Sequence, residues 1–255
     1  MPAISVTIIT FNEEANILRT LQSVSSFASE IVVVDSLSSD RTPEICREFG
    51  CKVYQREFDG YGTQKQFAVD QATNDWIFSI DADEVVTEAL QQEIREMFAD
   101  PVGTPAPLLQ YPAYRIPRSL EYMGRVLRYS GAGKELLVRL FDRTMGAFTK
   151  VAVHEGIEVN GDTGLLRGQL IHHSYRDISH HLEKINTYTT LAARDYVKNG
   201  RHFSKGWAVL KFPVTFLSVY LFKGGFLDGY PGFVWSLLAA VYSTLKVAKT
   251  IELTK

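Results

Sequence analysis

The sequence predicts an α/β fold built on a mainly parallel sheet, and three observations carry that prediction. Short β-branched runs alternate with segments of helical periodicity through the first 100 residues. Polar residues gather just after three of those runs. One run, Trp76-Ile77-Phe78-Ser79-Ile80, ends abruptly in Asp81-Ala82-Asp83-Glu84. Open α/β sheets bind ligands outside the carboxyl ends of their strands, so one shared cleft is expected at that edge.

Each element follows from its residues. Ile4 to Ile9 is a strand by composition; after Thr10-Phe11-Asn12-Glu13-Glu14 come Ile17, Leu18, Leu21 and Val24 at helical spacing. Glu30 to Val34 is a second apolar strand. It ends in a polar loop from Asp35 to Pro43, and Ile45, Cys46 and Phe49 then mark a short helix closed by Gly50. Cys51 to Tyr54 is a short third strand. Gly60-Tyr61-Gly62 opens a helix carrying Lys65, Phe67, Ala68 and Ala72, and Thr87 to Phe98 predicts another. Parallel strands joined through helices require right-handed crossovers. The Pro-bearing stretch 100–107 reads as a linker, separating residues 1–100 from a second half, 108–200.

Composition narrows the class. A chain of 255 residues, 45% hydrophobic, can bury one large core or one domain with an appendage. A net charge of -2 argues against a general nucleic-acid binder. Cys46 and Cys51 fall in a helix and the following strand, so they read as core thiols rather than a bridge. The first apolar run is too short for a signal peptide and lacks a basic flank, which suits an intracellular enzyme.

The charge is unevenly spread. Residues 201–255 hold 7 of the 27 basic side chains but only 2 of the 29 acidic ones. Two apolar stretches, Trp207 to Phe222 and Phe233 to Ala248, flank a Gly-rich turn, and each is shorter than the ~20 residues a span needs. They predict two helices in a membrane interface, with Trp207, Phe212, Phe216, Phe222, Phe226, Phe233 and Trp235 inserted and basic residues toward anionic headgroups. A buried hairpin or a dimer contact is the competing reading.

Asp81 and Asp83, two apart where the chain leaves the sheet, suit a hard divalent cation, Mg²⁺ or Mn²⁺, bridging protein to a diphosphate. The same acids also suit the start of the following helix, a role that fits Glu84.

Val6-Thr7-Ile8-Ile9-Thr10-Phe11-Asn12-Glu13, then Val32-Val33-Val34-Asp35 with Asp40-Arg41-Thr42, then Asp81-Ala82-Asp83-Glu84, resemble the nucleotide-binding half of family 2 inverting glycosyltransferases of GT-A fold. With Arg139-Leu140-Phe141, Val153-His154-Glu155 and the basic, apolar C-terminal end, the chain is similar more narrowly to bacterial lipopolysaccharide-core β-1,4-glucosyltransferases. The resemblance implies a GT-A domain in two halves, 1–100 for the nucleotide sugar and 108–200 for acceptor and catalysis, with 201–255 as a helical membrane appendage. It implies that Thr10, Asn12 and Glu13 lie along the nucleoside. Asp35 falls where relatives hold base and ribose, at the first of two positions commonly both acidic; here the second is Ser36. Lys65 takes the place of a basic residue near the diphosphate or base, against the plainer reading of a solvated helix face. Asp81 is expected near the ribose and Asp83 at the metal.

Inverting transfer is a direct displacement, so a carboxylate must take the acceptor hydroxyl's proton. The resemblance points to Glu155, whose rival reading is a strand Glu facing a cation. Of six histidines, His172 in Leu170-Ile171-His172-His173-Ser174-Tyr175 is the candidate third ligand or phosphate contact; His173, His180 and His181 read as surface residues. The implied reaction moves a hexose, glucose from UDP-glucose, to a sugar of a lipid-linked acceptor at the cytoplasmic face of the bacterial inner membrane. A polyprenyl-phosphate acceptor, a nucleotidyltransferase and a non-catalytic nucleotide-sugar-binding membrane protein are the alternatives; the second lacks the Gly-rich basic loop its chemistry uses.

Overall fold

Alternating strands and helices dominate the first half of the chain in the computed structural model, which describes residues 3–99, 109–132, 135–149 and 156–254. They pack as two units that interleave along the sequence: residues 1–118 with 135–172, and residues 119–134 with 173–255. This differs from three consecutive segments. The expected linker 100–107 lies outside the described residues.

The first unit begins with β1 (Ile4–Thr10), α1 (Ile17–Val24), β2 (Glu30–Asp35), α2 (Thr42–Glu48), β3 (Lys52–Gln55), α3 (Tyr61–Asp70), β4 (Trp76–Asp81), β5 (Glu84–Val86) and α4 (Glu88–Phe98). The first four strands pair in parallel in the order β3-β2-β1-β4. β1, β2 and β4 are covered on both faces, which is why they are nearly continuous apolar runs. Successive residues serve opposite layers: Val33 and Phe78 join Ile17, Leu21, Leu90 and Ile94, whereas Val32 and Ile77 join Val69 and Phe141. On α1 the buried stripe is Ile17, Leu21 and Val24, and Leu18 faces outward. α2 carries Pro43 in its first turn, where no N–H is needed, and stops at Gly50, whose φ of 92° suits glycine. Cys46 and Cys51 are free thiols pushed up to about 12 by burial.

A second set of strands, mostly antiparallel, follows. It comprises β6 (Ala113–Tyr122), β7 (Arg125–Val126), β8 (Glu135–Asp142), β9 (Gly146–Phe148), β10 (Ile157–Val159), β11 (Thr163–Leu165) and β12 (Leu170–His172). β8 pairs antiparallel with β4 and β6, and β12 with β5; β11 pairs parallel with β6, while β9 and β10 form a separate antiparallel pair. The expected α/β architecture, mainly parallel at its centre and flanked by helices, is the one observed.

The second unit is helical: α5 (Ile178–Lys198), α6 (Lys205–Leu217) and α7 (Gly229–Leu253), with Tyr122, Leu127, Ile185, Val234 and Leu238 at its core. Buried Asp228 accepts hydrogen bonds from the backbone N–H groups of Arg128 and Tyr129, at 3.0 Å each, and from the Ser130 hydroxyl. One expectation fails here. The Gly-rich turn ends earlier than its composition suggested, because Pro231 and Gly232 lie in the first turn of α7, where proline is tolerated. The helical run Gly225–Leu253 is therefore 29 residues, long and apolar enough to cross a membrane, and its most apolar 18-residue window has mean hydropathy 1.2 and is one-third buried.

Candidate active site

The loops after β1 and β2 are stitched together by short polar side chains. Asp35, wholly buried at the end of β2, accepts from the Ser38 N–H at 2.9 Å, the Ser38 hydroxyl at 2.5 Å and the Gln55 amide at 3.2 Å. Asn12 adopts a left-handed φ of 54°; its N–H donates to Ser38 Oγ at 2.8 Å, and its Oδ1 accepts from the Ser39 N–H at 2.9 Å. Asn tolerates that conformation better than most residues. The Glu13 N–H reaches Thr42 Oγ1 at 2.8 Å, and the Thr10 carbonyl accepts from the Ser36 N–H at 2.8 Å. The buried Thr10 hydroxyl has no hydrogen-bond partner among the described residues. The sequence-predicted Thr10, Asn12, Glu13 and Asp35 are thus brought to one edge.

At the end of β4, charge replaces neutral polarity. Asp81 accepts from Lys65 Nζ at 2.9 Å and from Arg139 Nη2 at 2.7 Å. Glu84, with no exposed surface, accepts from Arg118 Nη1 at 2.8 Å, Arg139 Nη2 at 2.7 Å and the Asp81 N–H at 3.1 Å. Burial pulls the Asp81 carboxyl up, but Arg139 and Lys65 outweigh it and hold the group well below the usual carboxylate range. The Arg139 guanidinium is pushed higher because Asp81 and Glu84 overcome its own burial. Lys65 is only 5% exposed, so the solvated-face reading is excluded. Glu84 does not start α4: Thr87 caps it, accepting from the Leu90 N–H. The acid was misassigned because its partners lie far along the chain.

Glu135 pairs with Arg118 at 2.5 Å, so three cations, Lys65, Arg118 and Arg139, are balanced by three acids, Asp81, Glu84 and Glu135. This cluster lines a cleft of about 440 Å³ bounded also by Val138, Phe148, Gly156 and Ile157. Arg139 Nε is buried there with no hydrogen-bond partner among the described residues. Glu155 lies outside the described residues. Its neighbour Gly156, just before β10, accepts at its carbonyl from the Thr149 N–H at 2.9 Å and donates its own N–H to the Thr149 hydroxyl at 3.1 Å.

Asp83 points to a different partner, His172 Nε2, at 3.1 Å. Both keep about a fifth of their side chain exposed. Between the acids, the Thr20 hydroxyl of α1 donates to the Ala82 carbonyl at 2.7 Å. Among the described residues, no cluster of three or more His, Cys, Asp or Glu side chains could hold a metal unaided.

Sequence reasoning missed the roles of Arg118 and Glu84, and knew Arg139 only as part of a motif. It also misplaced His181, expected on the surface but 5% exposed in the second unit. His173 pairs with Glu121 at 3.0 Å, and His180 Nδ1 accepts from the Arg176 N–H at 3.3 Å. Of the aromatics assigned to the membrane, Trp207, Phe222, Phe226 and Phe233 are exposed. Phe212 and Phe216 are half-buried and stack at 6.4 Å. Trp235 instead packs inward on Tyr122 and His181.

Comparison with known proteins adds the family. Residues 5–120 match the model described as glycosyl transferase family 2. An uncharacterized glycosyltransferase of Rickettsia typhi is 34% identical over 99% of this chain and 88% of its own length. The lipopolysaccharide core biosynthesis glycosyltransferase LpsC of Rhizobium meliloti is 30% identical over 98% of this chain and 92% of its own. Among solved structures, S. aureus TarS 1-349 in complex with UDP-GlcNAc is 15% identical, covering 98% of this chain and 88% of that one with a TM-score of 0.46.

Proposed function

Because the chain belongs to glycosyl transferase family 2, we propose that it moves glucose from UDP-glucose, with inversion, to a sugar of a lipid-linked acceptor, as in lipopolysaccharide core assembly. The observation that carries this reading is the cluster of three cations lining the cleft at the ends of the central strands. Lys65, Arg118 and Arg139 place three cations there, each held by a carboxylate, and Arg139 Nε offers an uncommitted donor where a departing diphosphate would gather charge. The stitched loops of Thr10, Asn12, Glu13 and Asp35 flank it as a nucleoside site, and the full-length likeness to LpsC favours a core saccharide as acceptor.

Glu155 is the proposed base: its carboxylate takes the acceptor hydroxyl's proton as the new bond forms and the glycosidic bond to the diphosphate breaks. Gly156, next in sequence, lines the cleft, which supports that role. Asp83 and His172 fit one side of a Mg²⁺ or Mn²⁺ shell whose other positions come from phosphate oxygens and water, since such ions commonly take only one or two carboxylates from protein. The ion would supply charge neutralisation at the leaving group. The exposed apolar residues of α6, none of them buried, together with α7, support attachment to the cytoplasmic face of the inner membrane.

Calorimetric titration of nucleotide sugars with and without Mn²⁺ tests the reading. UDP-glucose should bind, and Mn²⁺ should tighten binding to the native protein but not to Asp83→Asn. Failure of every nucleotide diphosphate sugar to bind would overturn it, and persistent Mn²⁺ dependence in the variant would remove Asp83 from the metal.

A further inference from the structure

A second cavity, of about 230 Å³, lies wholly within the helical unit and is lined by residues of α5 and α7 together with Tyr175. Its walls are aromatic: Tyr175, Tyr188, Trp235 and Tyr242, with Ile185 and Leu238 beside them. His181, 5% exposed, sits among them, its ring 3.9 Å from that of Tyr175 and stacked at 5.5 Å on Trp235. We infer that this pocket binds a pyranose ring, giving the protein a saccharide subsite in its helical unit.

Three features select that ligand. The cavity, at about 230 Å³, is ring-sized, and ligand pockets are characteristically apolar with a few placed polar groups. Aromatic faces carry negative charge density that attracts the polarised C–H face of a sugar. The third feature is the buried imidazole. The Tyr122 hydroxyl meets His181 Nδ1 at 2.9 Å and, pushed up to about 12 chiefly by burial, stays protonated and donates. Nε2–H is then a donor with no partner among the described residues, in a side chain that lines the pocket. Burial, helped by Lys184 and His180, depresses the imidazole to about 4, so the donor is neutral at physiological pH and matches a hydroxyl. Lys184 also lines the pocket, its Nζ 5.3 Å over the Tyr175 ring, and donates to the Ser174 carbonyl at 2.8 Å. A hydrocarbon chain would leave the imidazole donor unanswered.

The identification of this ring as part of the acceptor rests on the proposed function; the pocket chemistry does not. Saturation-transfer NMR on the full chain tests it, with methyl β-D-glucopyranoside, methyl α-D-mannopyranoside and octanoate as probes. At least one glycoside should receive saturation on its ring protons, reduced threefold or more in Tyr188→Ala, a half-exposed wall residue, and in His181→Phe. The inference fails if neither glycoside is saturated, as when the pocket holds only water, if octanoate alone responds, or if the glycoside signal is unchanged in Tyr188→Ala. UDP-glucose calorimetry on the same native sample reports separately on the functional reading.

Discussion

The cleft of the first unit and the aromatic pocket of the second both hide polar side chains, and they satisfy them by opposite means. At the cleft, Asp81 keeps its charge because Arg139 and Lys65 flank it, and Glu84 accepts from Arg118 and Arg139. In the pocket, His181 gives up its charge and makes one hydrogen bond. A site that must meet a developing anion needs permanent cations, and buried carboxylates keep them desolvated and in place. A site for an uncharged ring is better served by neutral donors and π faces.

The largest test of this contrast is Glu155→Gln. Removing the proton acceptor from a cleft otherwise rich in cations should cut transfer by about 10²–10⁴ while UDP-glucose still binds. Near-normal turnover would move belief to a phosphate acceptor, which needs no base. Arg139→Met comes next. It leaves Asp81 and Glu84 short of a shared partner, and urea unfolding should show a loss of about 3–5 kcal/mol; a loss below about 1 kcal/mol would mean that solvent already screens the network as at a surface.

Acid separates the two regions more finely. The folded value of His181, about 4, lies below the ordinary 6.5, so the unfolded chain binds its proton first. Stability should therefore be intact above pH 6.5 and fall toward pH 4, by about 3 kcal/mol in all, with the slope flattened in His181→Phe. Asp81 is depressed, so its contribution survives through that window and is lost only at lower pH. A titration of unfolding midpoints that showed no change between pH 6.5 and 4.5 would sink the neutral-pocket description. The smallest effect concerns the tail. Lys205→Ala and Lys211→Ala in the full chain should each weaken co-flotation with anionic liposomes by about 1 kcal/mol at low salt. Equal flotation of native and variant proteins across a salt series would leave only apolar attachment.

How much of this was legible depended on distance along the chain. β1, β2 and β4 could be read because β-branched runs buried on both faces leave a local signature, and Gly50 and Thr87 mark helix ends by chemistry within a few residues. The site was half legible: Asp35 and Asp81 announce themselves where apolar runs stop. The pairing of Arg139 with Asp81 spans 58 residues, and no local pattern encodes it. Glu84 was misread for the same reason, since an acid near a helix start has a sufficient local explanation. His181 did leave a signal, because His181, Ile185, Thr189 and Ala193 recur every four residues as the buried stripe of α5. Pro231 misled because proline in a first helical turn has the same composition as proline in a loop.

The bond from Thr20 to the Ala82 carbonyl has a thermodynamic consequence. It anchors the residue between Asp81 and Asp83 to the buried face of α1, so the acidic turn is already shaped before any ligand arrives. Ordering a flexible segment on binding leaves a large unfavourable entropy and a heat-capacity change beyond that of the contact surface. This turn has little such freedom to lose, so the heat capacity of donor binding should reflect the surface of the nucleotide sugar alone.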